Sequence, residues 1–362
     1  MGLALGQLRF VRRRRYRIGQ TETAHRKAKH YRHYIKHSVA PNGVIRKQKT
    51  TKKQKMIKMK PMKTKFKSNI RAGCHSFGGV VCVGAVLLIA SSAQAQNLFE
   101  TDLHSGNIYE YTPGGARSTF ASGLDEPIGL AFNSAGDLLV ADYNGNIYEF
   151  TPGGVRSTFA SGLDYPTGLA FNSAGDLFAA DYYSGNIYEY TPGGARSTFA
   201  SGLDYPAGLA FNSAGDLFEA DYSGNIYEYT PGGVRSTFAS GLHSPAGLAF
   251  NSAGDLFEAD LNSGNIYEYT PGGARSTFAS GLDEPYGLAF NSAGDLFAAA
   301  WGSGNITEIT PGGVQSTFAS GLDYPTGLAF QGETLPVPEP SALGLLAGGA
   351  TALLVCSRRH KA

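Results

Sequence analysis

The chain has 362 residues with 31 Lys and Arg against 29 Asp and Glu, but its net charge of +2 hides a strong segregation. Residues 1–61 carry 19 basic residues and one acid, whereas residues 96–335 carry 27 acids, five Arg and no Lys, a net charge of −22. A body that acidic repels nucleic acid and anionic membrane surfaces, which excludes a nucleic-acid partner.

Residues 1–61 are very basic, poor in apolar residues and without periodicity. They read either as an over-extended gene start, with Met62, or Met56 or Met59, as the initiator, or as a disordered basic extension. Residues 62–95 follow the plan of a secretory signal peptide. Lys63, Lys65, Lys67 and Arg71 precede the apolar run GGVVCVGAVLLIA, and Ala93-Gln94-Ala95 supplies small residues at Ala93 and Ala95 for cleavage. The mature chain is then expected to begin at Gln96. All three Cys (Cys74, Cys82, Cys356) lie outside residues 96–335, so no disulfide framework holds that body together.

Residues 96–331 are built from six near-copies of one unit. The segment TPGG starts at Thr112, Thr151, Thr191, Thr230, Thr270 and Thr310, at spacings of 39, 40, 39, 40 and 40 residues. Each unit contains four short runs of strand-favouring residues, GLAF, DLFxAD, NIYEY and STFAS, separated by Gly, Pro, Asn and Asp clusters. No helical periodicity interrupts them. Four strands per ~40 residues, repeated six times, predict an all-β fold: a six-bladed β-propeller of four-stranded blades. The array opens on a second-strand sequence at 97–102 and ends on a first-strand sequence at 327–330. Pairing of these N- and C-terminal strands would complete the blade opened by the N-terminus and close the ring.

The pattern PxGLAF-x4-GDLFxAD-x-SGNIYEY resembles NHL-type propeller repeats and the gluconolactonase-like family. The resemblance covers all six units and implies the propeller fold. Gluconolactonase-like enzymes hold a divalent metal with an asymmetric set of Glu, Asn and Asp, and here nearly every acid recurs in several copies. The resemblance therefore implies the fold more strongly than the activity.

After the repeats, residues 332–340 form a linker ending in Pro338-Glu339-Pro340. Residues 341–357 are an apolar run expected to form a transmembrane helix, at the short end of what spans a bilayer. Arg358 and Arg359 open the basic tail at 358–362. This order resembles the PEP-CTERM sorting tail of Gram-negative bacteria. The resemblance implies exosortase as a processing partner, a transient stay in the inner membrane, and a final place at the cell surface or in the extracellular matrix.

Differences among the copies point to one face. The turns NSAGD and TPGG barely vary, because turn geometry constrains them. The segments before the first strand (DEPI, DYPT, DYPA, HSPA, DEPY, DYPT) and after the second (DLHSGN, DYNGN, DYYSGN, DYSGN, DLNSGN, AWGSGN) do vary. In propellers of this kind both segments lie at one mouth of the central channel. The candidate ligand-binding residues are Trp301, Tyr286, Tyr324, Tyr165, Tyr205, Tyr182, Glu126 and Glu284. Rigid rings beside carboxylates suit sugars or cations. Trp301, Tyr286 and Tyr324 are expected to sit together, and Trp301 is the only Trp in the chain.

Asp142, Asp181, Asp221 and Asp260 recur at the second-strand end and are the candidate ligands for Ca²⁺, the one cofactor considered. His104 and His243 are the two His of the body and candidates for acid–base chemistry. No catalytic residue is assigned. The leading reading is a non-enzymatic binding or scaffold module for extracellular polysaccharide or a surface protein. The alternative is a metal-dependent lactonase or lyase of gluconolactonase-like or streptogramin-lyase-like type. Glu110 and Arg117, with their counterparts in four further copies, are expected to form exposed cross-strand charge pairs. A two-residue loop at TPGG would set them opposite one another, and a three-residue loop diagonal.

Overall fold

The computed structural model describes residues 96–332, and these form a six-bladed β-propeller. The second blade shows the plan. β4 (Pro127–Phe132) is innermost, followed outward by β5 (Leu138–Asp142), β6 (Asn146–Phe150) and β7 (Arg156–Ser161), each antiparallel to its neighbour. The third, fourth, fifth and sixth blades start from β8 (Pro166–Phe171), β12 (Pro206–Phe211), β16 (Pro245–Phe250) and β20 (Pro285–Phe290). The first blade is assembled from both ends of the array. β24 (Pro325–Phe330) pairs with β1 (Leu98–Asp102), which continues to β2 (Asn107–Tyr111) and β3 (Arg117–Ala121). Leu98 lies opposite Phe330 and Glu100 opposite Leu328, the closure expected from the ends of the repeat.

One residue marks this seam. Thr101 stands where the other five copies have Ala. Its hydroxyl donates to the Ile128 carbonyl at 2.7 Å, accepts the Gly327 N–H at 2.7 Å and lies 3.0 Å from the Thr326 hydroxyl.

The ring is tight because of the Gly in Pro-x-Gly-Leu. A Cβ on Gly129, Gly168, Gly208, Gly247, Gly287 or Gly327 would stand 1.9–2.2 Å from a carbonyl oxygen of the next inner strand. Only Gly permits that approach of backbone to backbone. A bulge follows Pro127 in β4, between its pairings with Asp142 and of Leu130 with Val140, and the same bulge recurs in every blade. Between blades the core is aromatic. Phe99 meets Phe120 of its own blade and Phe132 of the next edge-on at 5.1 Å. Four more blades repeat this triad, each contact contributing roughly 0.5–1.5 kcal/mol beyond area burial.

At TPGG the loop has three residues. The Thr112 N–H bonds the Ala116 carbonyl at 3.0 Å, and Gly115 takes a φ of 79°. Tyr111 is thereby opposite Arg117, and Glu110 opposite Ser118. Adjacent positions of a strand point to opposite faces, so the expected Glu–Arg pairs do not form. Instead each Arg lies over a Tyr two residues further along the facing strand, at 4.7–5.0 Å: Arg117 on Tyr109, Arg156 on Tyr148, Arg196 on Tyr188, Arg235 on Tyr227 and Arg275 on Tyr267. The sixth blade carries Gln315 in place of Arg and Thr307 in place of the ring. Both partners of the stack are absent there together.

Three acids are buried at blade interfaces. Glu100, Glu219 and Glu258 are 0% exposed, and their carboxyl oxygens have no hydrogen-bond partner. Burial pushes each carboxyl well above the usual range, the Asp two residues on adds to the shift, and the Arg of the same blade opposes it. The other three copies have Val140, Ala179 and Ala298 at this position.

The signal peptide, the sorting motif and the apolar run at 341–357 lie outside the described residues. Among the described residues no helix is long and apolar enough to cross a membrane.

Candidate functional site

The loops before the first strand and after the second strand of each blade meet on one face. The Tyr143 N–H donates to the Asp125 carbonyl at 3.0 Å, and the Trp301 N–H to that of Glu284 at 2.9 Å. The Asp that ends the second strand locks the two loops together. The Asp142 carboxylate accepts the N–H of Asp125 at 2.9 Å and of Asn144 at 3.1 Å. Asp181 takes the N–H of Asp164 at 2.7 Å, Asp221 that of Asp204 at 2.8 Å, and Asp260 that of His243 at 2.7 Å. These four were the Ca²⁺ candidates. Their oxygens serve backbone donors within their own blades, and among the described residues no three His, Cys, Asp or Glu converge as a metal site. Burial raises the Asp142 and Asp181 carboxyls, and the backbone N–H bonds counter it.

The residue before Pro in each mouth loop has a left-handed backbone. Glu126, Tyr165, Tyr205, Ser244, Glu284 and Tyr324 have φ of 57°, 73°, 62°, 69°, 53° and 65°. This conformation is uncommon for residues with a Cβ and is especially disfavoured for large ones. Gly would fit without strain, yet no copy uses it. Five of these six positions are among the candidate ligand residues: Tyr205 and Tyr324 are exposed, Glu126 and Glu284 half-buried and Tyr165 buried. Residues held in such conformations concentrate at functional sites.

The rings gather into two groups. In one, Tyr143 meets Tyr165 edge-on at 4.4 Å, and Tyr165 meets Tyr182 at 5.6 Å and Tyr183 at 5.3 Å. Tyr182 continues to Tyr205 at 4.8 Å and Tyr222 at 5.5 Å. This crescent crosses the second, third and fourth blades. Tyr165 is buried with Leu103 and Ile128, and Tyr286 packs against them from the sixth blade. In the other group, Trp301 meets Tyr324 at 5.2 Å, and Tyr324 meets His104 at 4.3 Å. His104 Nδ1 lies 3.4 Å from an Asp323 carboxylate oxygen. The Trp301 indole N–H is covered and has no hydrogen-bond partner.

The expected trio is therefore divided. Trp301 and Tyr324 join, while Tyr286 belongs to the cluster around Tyr165. The fifth blade interrupts the aromatic surface with Asn262 donating to Ser244 at 2.8 Å. Sequence reasoning missed Tyr183. Its signal was the extra residue of DYYSGN relative to DYNGN.

Acids lie among these rings. Burial, then Asp125, raises the Glu126 carboxyl, with His104 countering. Burial and Asp283 raise Glu284. Burial pushes the Tyr183 phenol up to about 12, with Tyr143 and Asp164 adding to it. Below the mouth the channel holds only ≈ 80 Å³ beside Thr167, Ala207, Ala246 and Tyr286. Small-molecule pockets are usually about 300–1,000 Å³, so a ligand would rest on the mouth rather than inside it. A wider cavity of ≈ 260 Å³, lined by Leu, Ala and Phe of the inner strands, lies towards the opposite face.

No protein-family model matches the chain, and no curated protein does. Solved structures match by fold. A chain of a nidogen/laminin complex aligns with a TM-score of 0.60 at 20% identity, over 65% of this chain and 98% of that one. Virginiamycin B lyase from Staphylococcus aureus aligns with a TM-score of 0.50 at 15% identity, over 65% and 96%. A putative gluconolactonase gives 0.50 at 18% identity, over 55% and 79%. The chain is a six-bladed β-propeller resembling the NHL and gluconolactonase-like folds.

Proposed function

We propose that this propeller is an exported binding or scaffold module whose mouth face holds extracellular polysaccharide or a surface protein. The observation that carries this reading is the ring of six left-handed residues, in which Glu and Tyr occupy places that Gly would fill without strain. The PEP-CTERM-like tail supports sorting by exosortase through the inner membrane to the cell surface or matrix. A glycan array probed with residues 96–335, and with the same body carrying Tyr205→Ala and Trp301→Ala, tests the binding role. Selective binding that both substitutions weaken supports it, and binding indifferent to them refutes the mouth. Deleting residues 337–362 tests the address: a truncated protein that still reaches its destination removes the tail from the proposal. N-terminal sequencing of exported protein should begin at Gln96.

A second reading has one observation in its favour. His104, Asp323 and Glu126 form an electrostatically linked group found at only one blade junction. That arrangement suits a lyase or lactonase more than a repeated one would. A divalent metal held stoichiometrically by the purified body would favour it.

A further inference from the structure

The sixth blade departs from the other five on one face, and the departures belong together. Its third strand, β22 (Asn305–Ile309), reads NITEI where the others read NIYEY or NIYEF. Its outer strand, β23 (Gln315–Ser320), opens on Gln where the others open on Arg. In the other five blades the Asn that opens the third strand donates its side-chain amide to the phenol two residues on. Asn107 reaches Tyr109 at 3.1 Å, Asn146 Tyr148 at 3.1 Å, Asn186 Tyr188 at 3.1 Å, Asn225 Tyr227 at 3.3 Å and Asn265 Tyr267 at 3.0 Å. The Arg of the outer strand lies over the same ring. Asn305 has Thr307 in place of that phenol and loses the acceptor. Gln315 turns to the fifth blade and donates to the Ser280 carbonyl at 3.2 Å.

Thr307 also changes the chemistry of the strand. Asn305-Ile306-Thr307 is the one Asn-x-Ser/Thr in the 362 residues, the acceptor pattern for an N-linked sugar. Positions i and i+2 of a strand share a face, so the amide and the hydroxyl lie on the same side of β22. Asn305 is half-buried and pairs with Ser320, which is exposed, as are Gly321 after it and Ser303 in the loop before β22. A motif of two fixed residues arises easily by chance. What selects this one is that the blade bearing it also lacks the stack. In the other blades a sugar on the Asn amide would break its bond to the phenol and displace the guanidinium, and in the sixth blade neither obstacle is present.

We propose that Asn305 is a modification site that carries an N-linked sugar. The donor is a sugar held through C1 to a diphosphate, either nucleotide-linked or lipid-linked, and a transferase of the producing cell brings the two together. The Asn305 amide nitrogen attacks C1, the Nδ2–C1 bond forms and the C1–O bond to the diphosphate breaks. The diphosphate leaves with the electron pair, and the amide gives up one proton to a base of the transferase. Transfer precedes closure of the ring, because a half-buried amide at a strand end is accessible to an enzyme only in the open chain.

Mass spectrometry of the protein isolated from the producing organism tests this. Cleavage after Glu releases residues 285–308 as one peptide, and fragmentation locates any sugar within it. The peptide should carry the mass of one or more sugars on Asn305. Asn305→Gln and Thr307→Ala should each remove it completely, whereas Thr307→Ser should retain it. Tyr267→Thr with Arg275→Gln builds the same face in the fifth blade and should place a second sugar on Asn265. Expression from Gln96, without the preceding residues, distinguishes the donors. A sugar that persists came from a nucleotide-linked donor in the cytoplasm, and one that disappears came from a lipid-linked donor at the membrane.

An unmodified peptide from the native protein overturns the proposal. So does a sugar on Ser or Thr, or one on Asn305 that survives Thr307→Ala. A sugar on Asn265 after Tyr267→Thr alone, with Arg275 retained, overturns the argument that the cleared face selects the site.

Discussion

Replacing Glu219 by Val is expected to stabilise the ring and to flatten its response to pH. Glu219 is fully buried between the third and fourth blades, with both carboxyl oxygens unpartnered. Even protonated, a buried polar group without a partner costs about 1–3 kcal/mol. Val140 occupies the same position in the second blade, so the cavity accepts the substitute. Burial is the main cause that raises this carboxyl, Asp221 adds to it and Arg235 opposes it.

A carboxyl whose pKa rises on folding holds its proton more tightly in the folded state. Its contribution is fully present below the unfolded value of about 4.3 and is lost as pH climbs towards the folded value, by about 1.4 kcal/mol per pH unit. Glu100 and Glu258 behave alike, so together the three give a slope of about 4 kcal/mol per unit over their shared window. Self-repulsion of the acidic body adds a background slope, so the difference between variants is the quantity to read. Urea unfolding of wild type, Glu219→Val and the triple Val variant, followed by circular dichroism from roughly pH 4.5 to 8, measures it. Parallel pH profiles for wild type and the triple variant would falsify the assignment of these acids as orphaned.

Gly208→Ala would place a Cβ 2.0 Å from the Ala246 carbonyl oxygen. Overpacking against backbone costs about 1–3 kcal/mol or more, and chemical denaturation should show a loss of at least that size. At Tyr205, with φ of 62°, Gly should leave stability within about 1 kcal/mol of wild type or above it, whereas the β-branched Val should lower it. Val as stable as Gly there would show that the kink is unstrained. In the sixth blade, Gln315→Arg alone should change stability by less than about 1 kcal/mol. Adding Thr307→Tyr rebuilds the stacked pair of the other blades and should contribute a coupling of about 0.5–1 kcal/mol in a double-mutant cycle. Zero coupling would remove the Arg–Tyr stack as a source of stability.

Strands, blade number and closure were legible because turn residues and alternating apolar positions repeat six times. The charge pairs were not. Their faces depend on a register difference of one residue, and such a shift moves a side chain to the other side of the sheet. The Asp at the second-strand end of the second to fifth blades was visible as a repeated acid, but its hydrogen bonds to N–H groups seventeen residues earlier in the chain belong to the folded blade. The strained ring at the mouth was invisible for another reason. Glu, Tyr and Ser before Pro carry no sign of a positive φ, which sequence patterns reveal mainly through Gly and Asn. The candidate residues at those positions were found by their variation among copies, and the structure supplies the kink they share.

Thr101 and Thr326 meet across 225 residues of chain, and this has a consequence for assembly. The inner strand of the first blade is made last, so the ring stays open until nearly the whole body exists. Meanwhile β1 offers an unpaired edge, and six nearly identical inner strands compete for it, including those of neighbouring molecules. That is the setting for domain swapping and misassembly in repeat proteins. The other second strands offer Ala where β1 offers Thr101, and in the closed ring that hydroxyl is satisfied by Ile128, Thr326 and Gly327. In a chain that otherwise copies itself, one residue that adds a hydroxyl and a methyl to the Ala of its counterparts marks the strand where the circle begins.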